Sequence, residues 1–107
     1  MTESDIQKEI LSYLKTTNLL HWRQNSGVVF TGKRMIKLGV PGQPDIFLVL
    51  PGNGRLCGLE VKSATGKQNQ HQLDYSALMI TNGCRYGVVR NLEQAKEAIA
   101  YWLAERE

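Results

Sequence analysis

Pro51-Gly52-Asn53-Gly54 separates two apolar runs, DIFLVL (45–50) and RLCGLEVK (55–62). A proline and two glycines in four residues favour a tight reversal, so the flanking runs are expected to pair as an antiparallel hairpin. The turn can close as a four-residue loop, or as a two-residue turn with Pro51 opposite Gly54. Both closures pair Leu50 with Arg55 and bring Asp45 directly across from Glu60. Opposed residues on one face have Cβ atoms roughly 4.5–5.5 Å apart. Alternation along the strand then puts Lys62 on the same face as Glu60, about 7 Å away. Turn chemistry and register thus gather Asp45, Glu60 and Lys62 into one cluster.

Such a cluster is costly in an otherwise apolar strand unless something compensates it. Two carboxylates facing each other on a sheet repel. A cation between them removes the repulsion, and oxygen ligands at this spacing suit a hard divalent ion such as Mg²⁺ or Mn²⁺. The alternative is a solvated polar face on which Lys62 simply neutralises Glu60.

The remaining segments build an α/β fold around this hairpin. Ile6, Ile10, Tyr13 and Leu14 recur at helical spacing, which predicts a helix over 2–17 with Thr2, Ser4 or Asp5 as its cap. LLHWRQNSGVVF reads as a strand broken at Asn25-Ser26-Gly27, and VVFTGKRMIKLG as a short hairpin turning at Thr31-Gly32-Lys33. VPGQPD is a loop. Gln68 to Thr81 reads as a helix with Leu73, Ala77 and Ile80 on one face and Asn82-Gly83 as its stop. CRYGVV (84–89) is a strand. Asn91 caps a final helix, with Gln94 at capping-box spacing and a buried stripe of Ala95, Ile99, Trp102 and Leu103. The order is α-β-β-β-β-β-α-β-α, or about αβββαβα if fewer separate strands precede residue 40. Strand–helix–strand near the C-terminus implies a crossover and a small central mixed sheet flanked by helices.

On a helical wheel Glu3 falls within the stripe made by Ile6, Ile10, Tyr13 and Leu14, with Gln7 beside it. Glu9 lies near the edge of that stripe and Asp5 outside it. A glutamate facing the core needs a partner. The acidic cluster is one candidate, and a frayed first turn with Glu3 in solvent is the other.

Composition bounds the function classes. The 107 residues are expected to form a single domain, 1–107, large enough for a core without disulfides or a structural metal. Cys57 and Cys84 read as free thiols, and no Cys/His cluster points to zinc. MTESDIQKEI is polar and no apolar run approaches the ~20 residues of a membrane span, so a cytoplasmic protein without a membrane partner is expected. Net charge is +3, a mild hint of an anionic partner. Arg23, Lys33, Arg34 and Lys37 precede Asp45 and Lys67 follows Lys62, which favours phosphate contact over mere solubility. Asn25, Ser26 and Gly27 suit either a backbone contact to nucleic acid or a plain turn. His21 and His71 are isolated and read as incidental; Trp22 and Trp102 read as core or interface residues.

Pro44-Asp45 followed by Glu60-Val61-Lys62 resembles the PD-(D/E)xK nucleases. The chain is similar, over nearly its whole length, to a stand-alone VRR-NUC domain, the virus-type replication-repair nuclease module. The likeness includes WRQNSG (22–27), GVPGQPD (39–45), GLEVKSATG (58–66), QNQHQ (68–72) and YGVVRNLEQA (86–95). PD and ExK alone are a weak pattern; the Gly-Pro-rich approach to Asp45 and the glutamines after ExK make it more specific. The resemblance implies a restriction-endonuclease-like core and cleavage of DNA with one or two Mg²⁺ or Mn²⁺ ions and no small-molecule cofactor. It implies Asp45, Glu60 and the Val61 carbonyl as metal ligands, with Glu3, or else Glu9, completing the acidic set. Lys62 would orient or deprotonate the attacking water. Gln72 would support the site, with Gln68 one turn earlier on the same side. Small size and family analogy further imply a homodimer acting on branched DNA such as a four-way junction, in a repair or phage setting. A non-catalytic DNA-binding module and a nuclease subunit that needs a helicase or repair partner are the rival readings.

Overall fold

The computed structural model describes residues 1–24 and 27–105. Its elements run α1 (Glu3–Leu14), β1 (Leu20–Arg23), β2 (Gly27–Thr31), β3 (Arg34–Leu38), β4 (Ile46–Val49), β5 (Leu56–Val61), α2 (Gln70–Thr81), β6 (Arg85–Val89) and α3 (Leu92–Ala104). This is the α-β-β-β-β-β-α-β-α order read from the pattern. Four strands form a mixed sheet in the order β1-β4-β5-β6, and β2 and β3 form a separate antiparallel hairpin.

The central hairpin has the expected register. Ile46 pairs with Leu59 and Val49 with Leu56. Residues 51–54 close as a four-residue loop, with the Leu50 amide donating to the Arg55 carbonyl at 2.9 Å. β6 then joins β5 in parallel, pairing Gly58 with Tyr86 and Glu60 with Val88, after the chain crosses over through α2.

Strand alternation gives the sheet two unlike faces. Ile46, Leu48, Cys57, Leu59, Val61 and Val89 point to one face and pack against Ile6, Ile10 and Leu14 of α1 and Ala95, Ile99 and Trp102 of α3. Burial pushes the Cys57 thiol up to about 12, so it is an inert core group. Asp45, Phe47, Glu60, Lys62 and Tyr86 belong to the other face by the same alternation.

The helix ends have local causes. Thr2 caps α1 in a box closed by Asp5, whose amide donates to Thr2 Oγ1 at 3.1 Å. The helix stops at Leu14, short of Thr17, because the Thr16 and Thr17 hydroxyls donate to the Tyr13 and Leu14 carbonyls at 2.6 Å each. Asn69 caps α2, so that helix begins at Gln70 and not at Gln68. Asn91 caps α3, while Gln94 Oε1 reaches one residue further, to the Arg90 amide at 2.8 Å.

Two expected buried stripes are corrected. Leu73 and Ile80 are 46% and 61% exposed, and Ala77 lies with them in solvent. The inward stripe of α2 is Gln72, Tyr75, Ser76 and Met79 instead, of which only Met79 is fully buried. The helix covers the polar face of the sheet, so its packing residues are polar and the hydrophobic period points outward. In α3 Leu103 is exposed, because Ala95, Ile99 and Trp102 already fill the contact with the sheet. No helix among the described residues is long and apolar enough to cross a membrane.

The loop before β4 is held against α2 at close range. Gly42 has φ +87°, and a Cβ there would overlap the His71 carbonyl. Gln43 Nε2 donates to the Tyr75 hydroxyl at 3.4 Å, and Gln43 Oε1 accepts the Val40 amide at 3.0 Å. Gly42→Ala is expected to destabilise the fold by at least about 2 kcal/mol, from left-handed strain plus the clash. Gly52→Ala has φ +91° and open space around it, and should cost only the strain, about 1 kcal/mol. Urea unfolding midpoints of the two variants measure the difference.

Candidate active site

Asp45 sits one residue before β4, where the ladder would otherwise end. Its carbonyl accepts the Gln24 amide at 2.8 Å, and its Oδ2 accepts the Val61 amide at 2.8 Å. The residue thus ties β1 to β5 and holds its own carboxylate at the Glu60 end of the hairpin. Glu60 is 1% exposed. Gln72 Nε2 donates to Glu60 Oε1 at 3.1 Å, while Gln72 Oε1 accepts the Asn69 amide at 3.0 Å. Both ends of the Gln72 amide are therefore committed, one to the helix cap and one to the carboxylate, and this fixes its orientation.

Glu60 Oε2 is buried without a hydrogen-bond partner among the described residues. Burial first, and then the Asp45 carboxyl opposite, raise the Glu60 pKa far above the usual carboxylate range. The Lys62 ammonium opposes that shift, and the Glu3 charge adds to it. Lys62 is itself buried at 9% exposure; its amide donates to the Val89 carbonyl at 3.0 Å, while its ammonium makes no hydrogen bond or ion pair among the described residues. A half-buried Asp45 facing a buried Glu60 with one orphaned oxygen, and a buried ammonium beside them, is an arrangement typical of functional sites.

The donor set fits a hard divalent cation of the kind that keeps several waters. Asp45 and Glu60 supply carboxylates, and the Val61 carbonyl lies between Glu60 and Lys62 in the chain. The expected third carboxylate is not brought in. Among the described residues no three His, Cys, Asp or Glu side chains converge on a cation position. Glu3 Oε2 accepts the Ser63 amide at 3.3 Å. A Cβ on Gly66 would meet Glu3 Oε2 at 3.0 Å and Lys62 Cδ at 3.5 Å, so Glu3 stands beside Lys62. The wheel correctly turned Glu3 toward the interior, but its partner here is the loop after β5. Glu9, the competing residue, is exposed.

The expected nucleic-acid contacts separate into groups. Lys33, Arg34 and Lys37 are exposed on the β2–β3 hairpin, and Lys67 is exposed in the loop after β5. Arg23 is exposed but pairs with Ile46, so alternation turns it to the face opposite Asp45. Asn25 and Ser26 lie outside the described residues. Gln68 is engaged within the protein, since its Nε2 donates to the Tyr86 hydroxyl at 2.8 Å.

Two residues of this region were not singled out from the pattern. Tyr86 is raised in pKa by its burial and by the Glu60 charge, which places its hydroxyl near the carboxylates. Arg90 Nη1 donates to the Ser63 and Gly66 carbonyls at 2.5 and 2.7 Å and clamps the loop that follows Lys62. The parity of β6 was the available signal, since Tyr86, Val88 and Arg90 share the face of Glu60. It becomes usable only once the parallel register with β5 is known.

The Glu60 shift makes stability depend on pH with a definite sign. In metal-free protein the folded state keeps the Glu60 proton above the pH at which the unfolded chain has lost it. Stability therefore falls as pH rises from the ordinary glutamate pKa toward the raised folded value. Glu60→Gln does not titrate, so in EDTA it should raise the melting temperature over wild type more at pH 8 than at pH 5. Thermal denaturation at the two pH values measures this, and an equal effect at both would contradict the burial argument.

No protein-family model matches the sequence, and no curated protein matches it. The solved structures do contain a relative in shape. A structure described as a VRR_NUC domain aligns with 95% of this chain and 99% of its own, at TM-score 0.66 and 22% sequence identity. Together with the PD and EVK motifs in their expected register, this gives the chain a fold: that of a VRR_NUC domain, with a mixed central sheet flanked by helices.

Proposed function

We propose that the protein is a Mg²⁺- or Mn²⁺-dependent DNA endonuclease that hydrolyses phosphodiester bonds. The observation that carries this reading is the half-buried Asp45 facing the buried Glu60 beside the buried Lys62, with Glu60 Oε2 left without a partner among the described residues. A binding module has no use for carboxylates that repel the phosphates it must hold. The VRR_NUC fold agrees with a hydrolytic site of this kind.

When bound, a divalent cation supplies charge neutralisation at the phosphodiester and a more acidic water. Asp45, Glu60 and the Val61 carbonyl are the groups that would hold it. The chain's own contributions follow from the contacts. The Val61 amide fixes Asp45, and Gln72 fixes Glu60. Lys62 carries positive charge, in a largely dehydrated position, to where negative charge grows on the phosphoryl oxygens, and it can orient the attacking water. Ser63 and Arg90 hold the loop after Lys62, and with it the Glu3 carboxylate, in place.

One site makes one cut, so paired cuts in a four-way junction or similar branched DNA require two copies, most simply a symmetric dimer. Sedimentation of the protein with and without junction DNA is expected to show that dimer; a monomer in both would remove it.

Cleavage of labelled junction, flap, duplex and single-stranded DNA tests the reading directly. Activity should require Mg²⁺ or Mn²⁺ and vanish in EDTA. Glu60→Ala and Lys62→Ala should each lower the rate by a factor of about 10² or more, and Gln72→Ala by less. Binding without cutting under every metal would favour the non-catalytic module. Cutting that appears only after a helicase or repair protein is added would favour the partner-dependent subunit.

Metal affinity offers a second check, because carboxylate ligands must lose their protons to bind. Calorimetric titration with Mn²⁺ should show weaker binding at pH 5 than at pH 8, and equal affinity would argue against a carboxylate site.

A further inference from the structure

Charge is divided unevenly along the chain. Residues 10–44 contain five cations, Lys15, Arg23, Lys33, Arg34 and Lys37, and no aspartate or glutamate. The other residues are net −2, so the whole +3 of the protein, and more, comes from this segment. Three of its cations lie on the β2–β3 hairpin, which forms a sheet of its own.

That hairpin also carries the most exposed aromatic ring among the described residues. Phe30 is 74% exposed and Met35 is 58% exposed. They are direct cross-strand partners, so their side chains stand together on one face. Lys37 follows Met35 on that face by alternation, while Lys33 sits in the turn and Arg34 on the opposite face. An apolar pair in water with lysines at both ends is uncompensated within the described residues, and its surroundings favour an anionic partner.

The hairpin is rooted at the candidate active site. Its first strand begins at Gly27, three positions after Gln24, whose amide donates to the Asp45 carbonyl, and its second strand is followed by residues 39–44, which lead into Asp45 itself. Five residues per strand place the turn roughly 17 Å from the strand ends at Gly27 and Leu38. The hairpin that carries Phe30 and Met35 is thus joined in the chain directly to the segment that carries Asp45.

We infer that the β2–β3 hairpin is a wedge for branched DNA: Phe30 and Met35 enter an opened base stack, while Lys33, Arg34 and Lys37 hold the adjoining phosphates. Apolar side chains inserted between base steps pay for unstacking least where the stack is already broken, which is the case at a junction and not in a plain duplex. The wedge thus supplies the structure selectivity that the proposed nuclease site lacks, and it rests on that reading of DNA as the substrate. Its affinity has two separable parts, stacking that senses the branch and phosphate contact that does not.

The test measures binding in EDTA, so that no cutting is needed. A four-way junction and a 20-base-pair duplex are each titrated with wild type, Phe30→Ala, Phe30→Tyr and Lys37→Ala. Phe30→Ala should lower the junction-over-duplex preference by about tenfold, and Phe30→Tyr should retain it. Lys37→Ala should weaken binding to both DNAs and reduce the salt slope by about 1. In a Phe30→Trp variant, the added indole fluorescence should be quenched by the junction and not by the duplex. An unchanged preference in Phe30→Ala, or an unquenched Phe30→Trp on the junction, overturns the wedge. So does conversion of a DNA-free dimer to a monomer by Phe30→Ala, which would assign the face to a second copy of the chain. Failure of wild type to cut any DNA with Mg²⁺ or Mn²⁺ would instead sink the nuclease reading, and the EDTA measurements would still decide the wedge.

Discussion

The structure turns on two carboxylates that face each other across one hairpin. Asp45 and Glu60 are opposed because the 51–54 loop sets the register of β4 against β5. In water this pair would separate. Here Asp45 is held by the Val61 amide and Glu60 by Gln72, and the rest of the sheet closes over them. Burial and the Asp45 carboxyl opposite favour the protonated form of Glu60, and Glu60 Oε2 has no hydrogen-bond partner among the described residues. A fold that holds such an arrangement is less stable than one with an apolar pair at the same positions. That deficit is what a cation bound at the site would offset.

The surroundings of the pair follow from the same constraint. The face of the sheet that carries Asp45 and Glu60 needs a polar cover. α2 provides it through Gln72 and Tyr75, and its apolar residues Leu73, Ala77 and Ile80 are left in solvent. The loop bearing Asp45 must lie flat against that helix, which only Gly42 permits. On the far edge Arg90 anchors the Ser63 and Gly66 carbonyls, and Ser63 in turn receives Glu3 from α1. Groups from α1, α2 and the ends of the sheet strands thus meet at one small polar centre, while the main apolar cluster sits on the other side of the sheet.

Much of this was legible in the linear pattern, for local reasons. A turn with proline and two glycines has few ways to close, and all of them produce one register, so the meeting of Asp45, Glu60 and Lys62 could be read before any coordinates. Helix caps were legible because Thr2 and Asn91 bond to amides only three residues away. The α2 stripe was misread because hydrophobic period reports burial only when the opposing surface is apolar. Leu73 and Ile80 obey the period and face water; Gln72 breaks it and faces Glu60.

The sequence by itself determined the strand order along the chain, the hairpin register and the identity of the charged cluster, since each depends on residues close together in the chain. Only the tertiary structure decided what surrounds that cluster. Glu3 contacts Ser63 across 60 positions, Arg90 reaches Gly66 across 24, and Gln68 meets Tyr86 across 18. Such contacts are set by how helices and parallel strands stack, through many weak packing terms summed over the whole domain, and no short stretch of residues encodes them.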